Sequence, residues 1–133
     1  MEILSSRILV RPADFALTSH FYRDVLGLAV YREFGPAEHP GIVFFLGQGF
    51  LEVSGSADVS KQRPAAPPTA IWLQVRDVHD EQARLAAAGA IVIRAPVTEP
   101  WGLIEMWIED PDGRPIVLVE IPPDHPLRRD HRS

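Results

Sequence analysis

Two stretches of similar design decide the fold: Arg7-Ile-Leu-Val-Arg-Pro-Ala-Asp14 and Ala70-Ile-Trp-Leu-Gln-Val-Arg-Asp77. Each joins an apolar, strand-like run to an aspartate that is suited to cap a helix. The two aspartates stand 63 positions apart, and so do the residues that open the two stretches. The chain therefore contains a duplicated unit, and we expect its functional site where the two halves meet.

The first half predicts a strand at 3–10 and a helix from Asp14 to Gly27. Leu17, Phe21 and Val25 recur at helical spacing and predict an apolar stripe. Further strand-like runs follow at 28–34, 42–46 and 50–53, and Gly47-Gln-Gly49 indicates a hairpin between the last two.

The second half repeats this order, with a helix that begins after Asp77 and ends at Gly89. Strands are predicted at 70–76, 91–94, 103–109 and 115–121, with a turn at Asp110-Pro-Asp-Gly113. We predict a single domain over 1–133 that contains module one at 3–54, a linker at 55–69, module two at 70–122 and a polar tail at 123–133.

Composition narrows the class of protein. The 133 residues are 46% hydrophobic, contain no cysteine and carry a formal net charge of -5, which argues against nucleic acid as a partner. No apolar run reaches the roughly 18 residues of a membrane span, so we expect a cytoplasmic protein without membrane contact. Each module has only about 50 residues, so the modules must pack together or on a partner chain, and we expect a homodimer.

Four stretches carry a family resemblance: His20-Phe-Tyr-Arg-Asp-Val-Leu-Gly-Leu28, Arg84-Leu-Ala-Ala-Ala-Gly89, Pro100-Trp-Gly102 and Glu109-Asp-Pro-Asp-Gly-Arg-Pro-Ile-Val-Leu-Val-Glu120. The pattern resembles the vicinal oxygen chelate superfamily, which includes glyoxalase I, extradiol dioxygenases, fosfomycin-resistance proteins and bleomycin-resistance type antibiotic-binding proteins. The resemblance implies an α+β fold in which two βαβββ modules form a curved mixed sheet with helices on its convex side.

The resemblance also implies where a metal would bind. Enzymes of the superfamily hold a divalent metal with side chains from the opening and closing strands of each module, and these positions correspond here to Arg7, Ala70, Glu52 and Glu120. Arginine has no lone pair for a metal and alanine has no ligand atom. We therefore predict no metal and no cofactor, and the five histidines of the chain fall at none of the ligand positions.

The alternation of strand residues predicts what fills the concave face instead. If Arg7 faces the cavity, Leu9 and Arg11 do too. Trp72, Phe50, Trp107 and Glu105 are placed on the concave face by the same alternation. A two-residue turn at Gly47-Gln48 adds Phe45, whereas a three-residue turn would add Phe44. The candidate ligand-binding residues are Trp101, Gly102, Trp107, Trp72, Phe45, Phe50, Arg7, Leu9, Glu52 and Glu120.

Aromatic area with a few polar groups is typical of a site for a planar ligand. An ion pair of Arg7 with Glu52 or Glu120 either orients a ligand carbonyl or acid, or serves only to neutralise charge. By similarity to the bleomycin-resistance type, we predict metal-independent binding and sequestration of an aromatic small molecule or natural-product antibiotic. One alternative is a lyase, isomerase or dioxygenase that uses Glu52 or Glu120 as base, and another is a non-catalytic protein-interaction or regulatory subunit.

Overall fold

The computed structural model describes residues 1–58 and 69–126, and the chain divides into two compact units, Met1–Ala66 and Pro67–Ser133. We call these unit 1 and unit 2. Most of the predicted linker at 55–69, and the predicted tail from residue 127 onward, lie outside the described residues. The single-domain boundaries stay a prediction.

Unit 1 is a four-stranded mixed sheet with one helical segment. Its elements are β1 (Ile8–Val10), α1 (Phe15–His20), a π-helical turn (Phe21–Val25), β2 (Val30–Phe34), β3 (Gly41–Leu46) and β4 (Gly49–Ser54). The strands are ordered β1-β4-β3-β2, with β1 parallel to β4 and the other pairs antiparallel.

Unit 2 repeats this topology. Its elements are β5 (Ile71–Gln74), α2 (Val78–Ala87), β6 (Ile91–Thr98), β7 (Ile104–Glu109) and β8 (Pro115–Glu120), in the order β5-β8-β7-β6. Again the first strand is parallel to the last, and the other pairs are antiparallel. The predicted α+β class and the duplicated βαβββ pattern are confirmed.

The helices of both units begin and end as the sequence predicts. The Asp14 carboxylate accepts from the Leu17 amide at 3.1 Å, and the Asp77 carboxylate accepts from the amides of His79 and Asp80. Gly27 and Gly89 both have φ 82°, a left-handed conformation that glycine adopts at little cost at a helix end.

The helical segments differ in length by one residue. Gly27 follows Asp14 by 13 positions, but Gly89 follows Asp77 by 12. The π-helical turn takes up the extra residue, because the Leu26 amide reaches back five residues to the Phe21 carbonyl at 2.7 Å. The predicted apolar stripe is wrong at Leu17, which is 53% exposed, whereas Tyr22 and Leu26 are buried.

The predicted strand at 3–10 is too long. Its parallel partner β4 begins at Gly49, and Ile8 lies beside Leu51, so only two β4 residues precede that pair. The residues before Ser6 therefore have no β4 residue to pair with, and β1 contains only Ile8–Val10. Among the described residues, no helix is long and apolar enough to cross a bilayer.

A buried ion pair stabilises the turn of the hairpin between β7 and β8. The Asp110 carboxylate accepts from the amides of Asp112 and Arg114 at 2.9 Å each and from the Arg114 guanidinium at 2.8 Å. Both side chains are almost fully buried. The predicted Asp-Pro-Asp-Gly turn is confirmed, and it holds β7 and β8 in register.

Candidate functional site

Each sheet has one face that packs on its helix and one that does not, which we call the open face. In unit 1 the ring of Tyr22 from the π-helical turn lies 6.3 Å from that of Phe44. Alternation along β3 therefore turns Phe45 to the open face. In unit 2, α2 contacts β6, β7 and β8.

The strand register assigns the open face of unit 1. Leu9 lies beside Glu52, Glu52 beside Val43, and Phe45 beside Phe50. Leu46 pairs with Gly49, so the hairpin turns on the two residues Gly47-Gln48. The structure therefore has the two-residue turn. As the sequence analysis predicted for a turn of that length, Phe45 rather than Phe44 lies on this face.

Three aromatic rings form a cluster on this face. The ring of Tyr31 lies 5.1 Å from that of Phe45 and 5.0 Å from that of Phe50, and Phe45 and Phe50 are 5.7 Å apart. A register shift between Val30 and Arg32 turns Tyr31 and Arg32 to the same side. Tyr31 and Phe45 are about half exposed, so the cluster presents ring area to solvent.

A chain of polar contacts runs beside the cluster. Arg7 Nη1 donates to Glu52 Oε1 at 2.9 Å, Ser54 Oγ donates to Glu52 Oε2 at 2.6 Å, and Arg11 Nη1 donates to Ser54 Oγ at 3.2 Å. The predicted ion pair of Arg7 is therefore made with Glu52. Burial acts to raise the pKa of Glu52, but hydrogen bonds from Ser54 and Arg7 and the charges of Arg7 and Arg11 outweigh it and lower that pKa.

Tryptophans occupy the open face of unit 2. Trp72 lies beside Val117, and Val117 lies beside Trp107, so the two indoles flank a valine on one side of the sheet. By the same register Gln74, Val119 and Glu105 share this side. Trp72 is 49% exposed, whereas Trp107 packs partly against the buried cluster around Val117 and Val119.

Trp101 reaches the same face from the loop between β6 and β7. Its Nε1 donates to Glu105 Oε2 at 2.9 Å, and Glu105 is only 8% exposed. The loop closes through the Gly102 amide, which donates to the Glu99 carbonyl, and Gly102 has φ 94°. His125 Nε2 contacts the Trp101 carbonyl at 3.0 Å. The structure thus places all three tryptophans on or beside one face of unit 2.

The placement of Glu120 was predicted wrongly. Glu120 pairs with Ile104, one step out of phase with Val119 and Glu105, and so faces the opposite side from Trp72 and Trp107. Its Oε1 accepts from the Val78 amide at 3.0 Å, which ties it to the beginning of α2. Glu120 is a helix-capping residue on the helix face, because alternation along β8 reverses the side at every residue.

The register also corrects which residue of unit 2 corresponds to Glu52. Leu9 precedes Asp14 by five positions and lies beside Glu52. Trp72 precedes Asp77 by five positions and lies beside Val117. The counterpart of Glu52 is therefore Val117, not Glu120.

Comparisons with known proteins agree with this architecture. The profile of the Glyoxalase/Bleomycin resistance protein/Dioxygenase superfamily matches residues 5–118. The chain belongs to this superfamily. A probable lactoylglutathione lyase of Vibrio cholerae serotype O1 is 26% identical to this superfamily member over 119 residues, which cover 84% of this chain and 86% of that protein.

Solved structures of the superfamily share the fold at low identity. A glyoxalase/bleomycin resistance protein/dioxygenase from Nocardioides matches with a TM-score of 0.71 and 14% identity, covering 95% of this chain and 89% of that one. Lactoylglutathione lyase from Agrobacterium tumefaciens matches with a TM-score of 0.65 and 19% identity, covering 90% of this chain and 94% of that one. The predicted family resemblance is confirmed.

The side chains at the superfamily's metal positions do not fit a transition metal. Arg7 and Ala70 offer no lone pair, and Val117 has no donor atom where a second glutamate was expected. Glu52 is the remaining donor, and contacts with Arg7 and Ser54 engage both of its oxygens. Among the described residues, no three His, Cys, Asp or Glu side chains are grouped so that they could hold a metal ion.

Sequence reasoning missed several residues of the two faces. Tyr31 was missed because simple alternation puts it on the opposite side from Arg32, and no sequence signal marks the register shift. Arg11 and Glu105 were expected on these faces by parity but were not among the candidate ligand-binding residues, and Ser54, which shares that parity, was missed. The contact between Trp101 and Glu105 depends on the path of a loop, which the sequence pattern does not specify.

Proposed function

We propose that this superfamily member binds and sequesters an aromatic small molecule, of the type to which natural-product antibiotics belong, without a metal ion. One observation carries the proposal. Where the superfamily places its metal-binding glutamates, this chain has an ion-paired Glu52 beside an aromatic cluster and a Val117 flanked by Trp72 and Trp107.

Both open faces supply what a planar ligand requires. Tyr31, Phe45, Trp72 and Trp101 are each between 45% and 57% exposed, so they keep ring surface that a ligand can remove from water. Burying such surface contributes about 25 cal/mol per Å², and offset stacking adds about 0.5–1.5 kcal/mol. Rings already held by neighbouring contacts lose little entropy when they bind.

The second candidate is an enzymatic role, because the Vibrio cholerae relative is described as a probable lactoylglutathione lyase. Glu52 is poorly suited as its general base, because a carboxylate with a lowered pKa holds a proton weakly near neutral pH. Glu120 is engaged by the Val78 amide on the helix face. The third candidate is a protein-interaction or regulatory role. No contact among the described residues favours it specifically.

We further propose that the protein acts as a cytoplasmic homodimer. Exposed aliphatic side chains on strand β6, namely Ile91, Val92, Ile93 and Val97, give it apolar surface that a second copy could cover. Sedimentation at micromolar concentration tests this, and a clean monomer of 14.8 kDa contradicts it.

The binding proposal is tested by titrating the protein with a panel of aromatic natural products, using tryptophan fluorescence and thermal shift. Saturable binding that survives treatment with a chelator supports the proposal. A lyase assay with methylglyoxal and glutathione, run with and without added divalent metal, tests the enzymatic candidate. Turnover that appears with metal and disappears in Glu52→Gln would replace the binding proposal with the enzymatic one.

A further inference from the structure

The open face of unit 1 carries more positive than negative charge, although the whole chain carries a net charge of -5. Arg7 and Arg11 share the single carboxylate of Glu52, Arg7 directly and Arg11 through the Ser54 hydroxyl. Because two guanidinium groups share one carboxylate, this group of three side chains has a net charge of one positive unit. Arg32, on the same face, adds a further positive charge, with its guanidinium 5.0 Å above the ring of Phe34.

Arg7 has hydrogen-bonding capacity left over. A guanidinium has five N–H donors in a planar fork, and the hydrogen bond of Arg7 to Glu52 uses only Nη1. The Arg7 side chain is 38% exposed, whereas that of Glu52 is 12% exposed, so the positive partner is the one that faces solvent. An anion that approaches this face therefore meets the guanidinium before the carboxylate.

The aromatic cluster lies next to this charge. Continuing the register by one step from the pair of Ile8 and Leu51 puts Arg7 beside Phe50. Phe50 in turn lies beside Phe45, and Tyr31 contacts both rings. Arg7 and the cluster of Tyr31, Phe45 and Phe50 thus form one row across the sheet, with the guanidinium at one end and the three mutually tilted rings along the rest.

We propose that the ligand of this face is a planar aromatic acid, a flat ring system with one carboxylate, whose rings stack on the cluster while the carboxylate binds Arg7. The inference rests on the proposed function and adds the charge of the ligand to it. Guanidinium is suited to this role because its fork matches the geometry of a carboxylate and because it is always charged. Arg7 occupies a position that holds a metal ligand in enzymes of the superfamily. In this protein its guanidinium would supply the positive charge that binds a ligand oxygen.

The test compares three compounds that share one ring system: naphthoate, naphthamide and naphthylmethylamine. Proton–nitrogen correlation NMR titrations of the full chain measure each affinity and show whether the amides of Phe45 and Phe50 shift. We expect naphthoate to bind about 5- to 10-fold more tightly than naphthamide, and the amine to bind most weakly. The acid preference should shrink as salt is raised, because this site is partly exposed.

Variants assign the preference to Arg7. In Arg7→Gln the acid should lose its advantage while the amide keeps its affinity. The double variant Arg7→Gln/Glu52→Gln removes both charges of the pair, and it should bind acid and amide equally, which excludes simple repulsion by an uncovered Glu52. Arg23→Gln is the matched control, because it removes the same charge from an exposed arginine in the π-helical turn and should leave the acid preference unchanged.

The outcomes separate this inference from the proposed function. Equal binding of acid and amide, with shifts at Phe45 and Phe50, overturns the anion preference and leaves aromatic binding standing. An acid preference that survives in Arg7→Gln, or a preference for the amine, also overturns it. If none of the three compounds shifts these amides, the open face of unit 1 does not bind an aromatic ring, which overturns the inference and leaves unit 2 as the remaining face for the proposed function.

Discussion

The two units share a scaffold and differ on their open faces. Both units have an aspartate that caps the start of the helix, a glycine with φ 82° at its end, and the same strand order. On the open faces, however, Leu9 corresponds to Trp72, Glu52 to Val117 and Ser54 to Val119. Unit 1 combines arginines with phenylalanines and a tyrosine, whereas unit 2 combines tryptophans with Glu105 and with Arg94, which lies beside Trp107 and pairs with Glu99.

This difference shows which positions a duplicated fold can change. Residues on the helix face must fill a close-packed interior, and caps must satisfy amides at a helix end, so both are constrained by packing and hydrogen bonding. The half-exposed residues of the open faces, such as Tyr31, Phe45 and Trp72, meet no such demand within their own unit, whereas Val117 and Val119 on the same face are buried. The identity of such an exposed residue is therefore better evidence of ligand chemistry than that of a core residue.

The largest expected effect concerns the ion pairs of the two units. Asp110→Ala in unit 2 leaves the buried Arg114 without its partner and should reduce the free energy of unfolding by about 3–5 kcal/mol. The Arg7–Glu52 pair of unit 1 is partly exposed, so Arg7→Gln should cost less than about 1 kcal/mol. Urea unfolding measures both.

Asp110→Asn is the matched variant, because its amide oxygen can still accept from the backbone amides of the turn. It should fall between wild type and Asp110→Ala. If Asp110→Ala and Arg7→Gln lower the free energy of unfolding equally, the buried pair contributes no more to stability than the partly exposed one.

The next effect concerns ligand affinity at the tryptophans. Trp72→Ala should weaken binding of an aromatic ligand to unit 2 by about 5- to 150-fold, corresponding to the roughly 1–3 kcal/mol of burial and stacking of one indole. Trp72 is half exposed, so the variant should fold normally. Fluorescence titration measures the affinity.

Trp101 needs a pair of variants because its indole N–H contacts the buried Glu105. Trp101→Phe keeps a ring and removes only the hydrogen bond, whereas Trp101→Ala removes both. If Trp72→Ala, Trp101→Ala and Trp107→Ala all remain folded and bind as tightly as wild type, the tryptophans serve the core or an interface instead.

A smaller effect is the pH dependence that Glu52 gives unit 1. Its pKa is lowered in the folded state, so its contribution to stability is present above the ordinary pKa of 4.5 and is lost as the pH falls through the folded value. Glu52→Gln should therefore lose stability relative to wild type at neutral pH, by less than about 1 kcal/mol, and the difference should vanish in acid. Glu38→Gln, in an exposed loop, is the control for urea titrations over this range, and a difference that persists at the acid end would contradict the assignment.

The smallest expected effect lies in the helix of unit 1. Thr18 is fully buried, and its hydroxyl has no hydrogen-bond partner among the described residues. Thr18→Val keeps the shape and removes the unsatisfied group, so it should raise the free energy of unfolding by a few tenths to about 1 kcal/mol. Thr18→Ser is the comparison, since it keeps the hydroxyl and loses a methyl group. A destabilised Thr18→Val would reveal a partner for this hydroxyl.

Much of the fold was predictable because its signals are local. Asp14 and Asp77 mark helix starts, Gly27 and Gly89 mark their ends, and the Asp110–Gly113 turn follows from its residues alone. Faces were predictable where strands alternate without interruption, as for Phe50 and Trp107, whereas the face of Phe45 depended on the length of the turn between β3 and β4.

The errors occurred where a residue's role depends on register. Glu120 was selected because it is a glutamate near the end of β8, but the parallel pairing of β5 with β8 puts Val117 at the decisive position. Tyr31 was missed because a bulge changes the side without changing the sequence pattern. The strand at 3–10 was overextended because the end of a strand depends on the length of its partner.

We propose that aromatic side chains and Arg7 hold the ligand of this protein in place of the superfamily's metal. The most direct measurement combines metal analysis of protein purified without chelator with an affinity titration of an aromatic ligand before and after chelator treatment. We predict substoichiometric metal and the same affinity in both titrations. Near-stoichiometric zinc, nickel, manganese or iron that is lost in Glu52→Gln, together with binding that chelation abolishes, would contradict the claim.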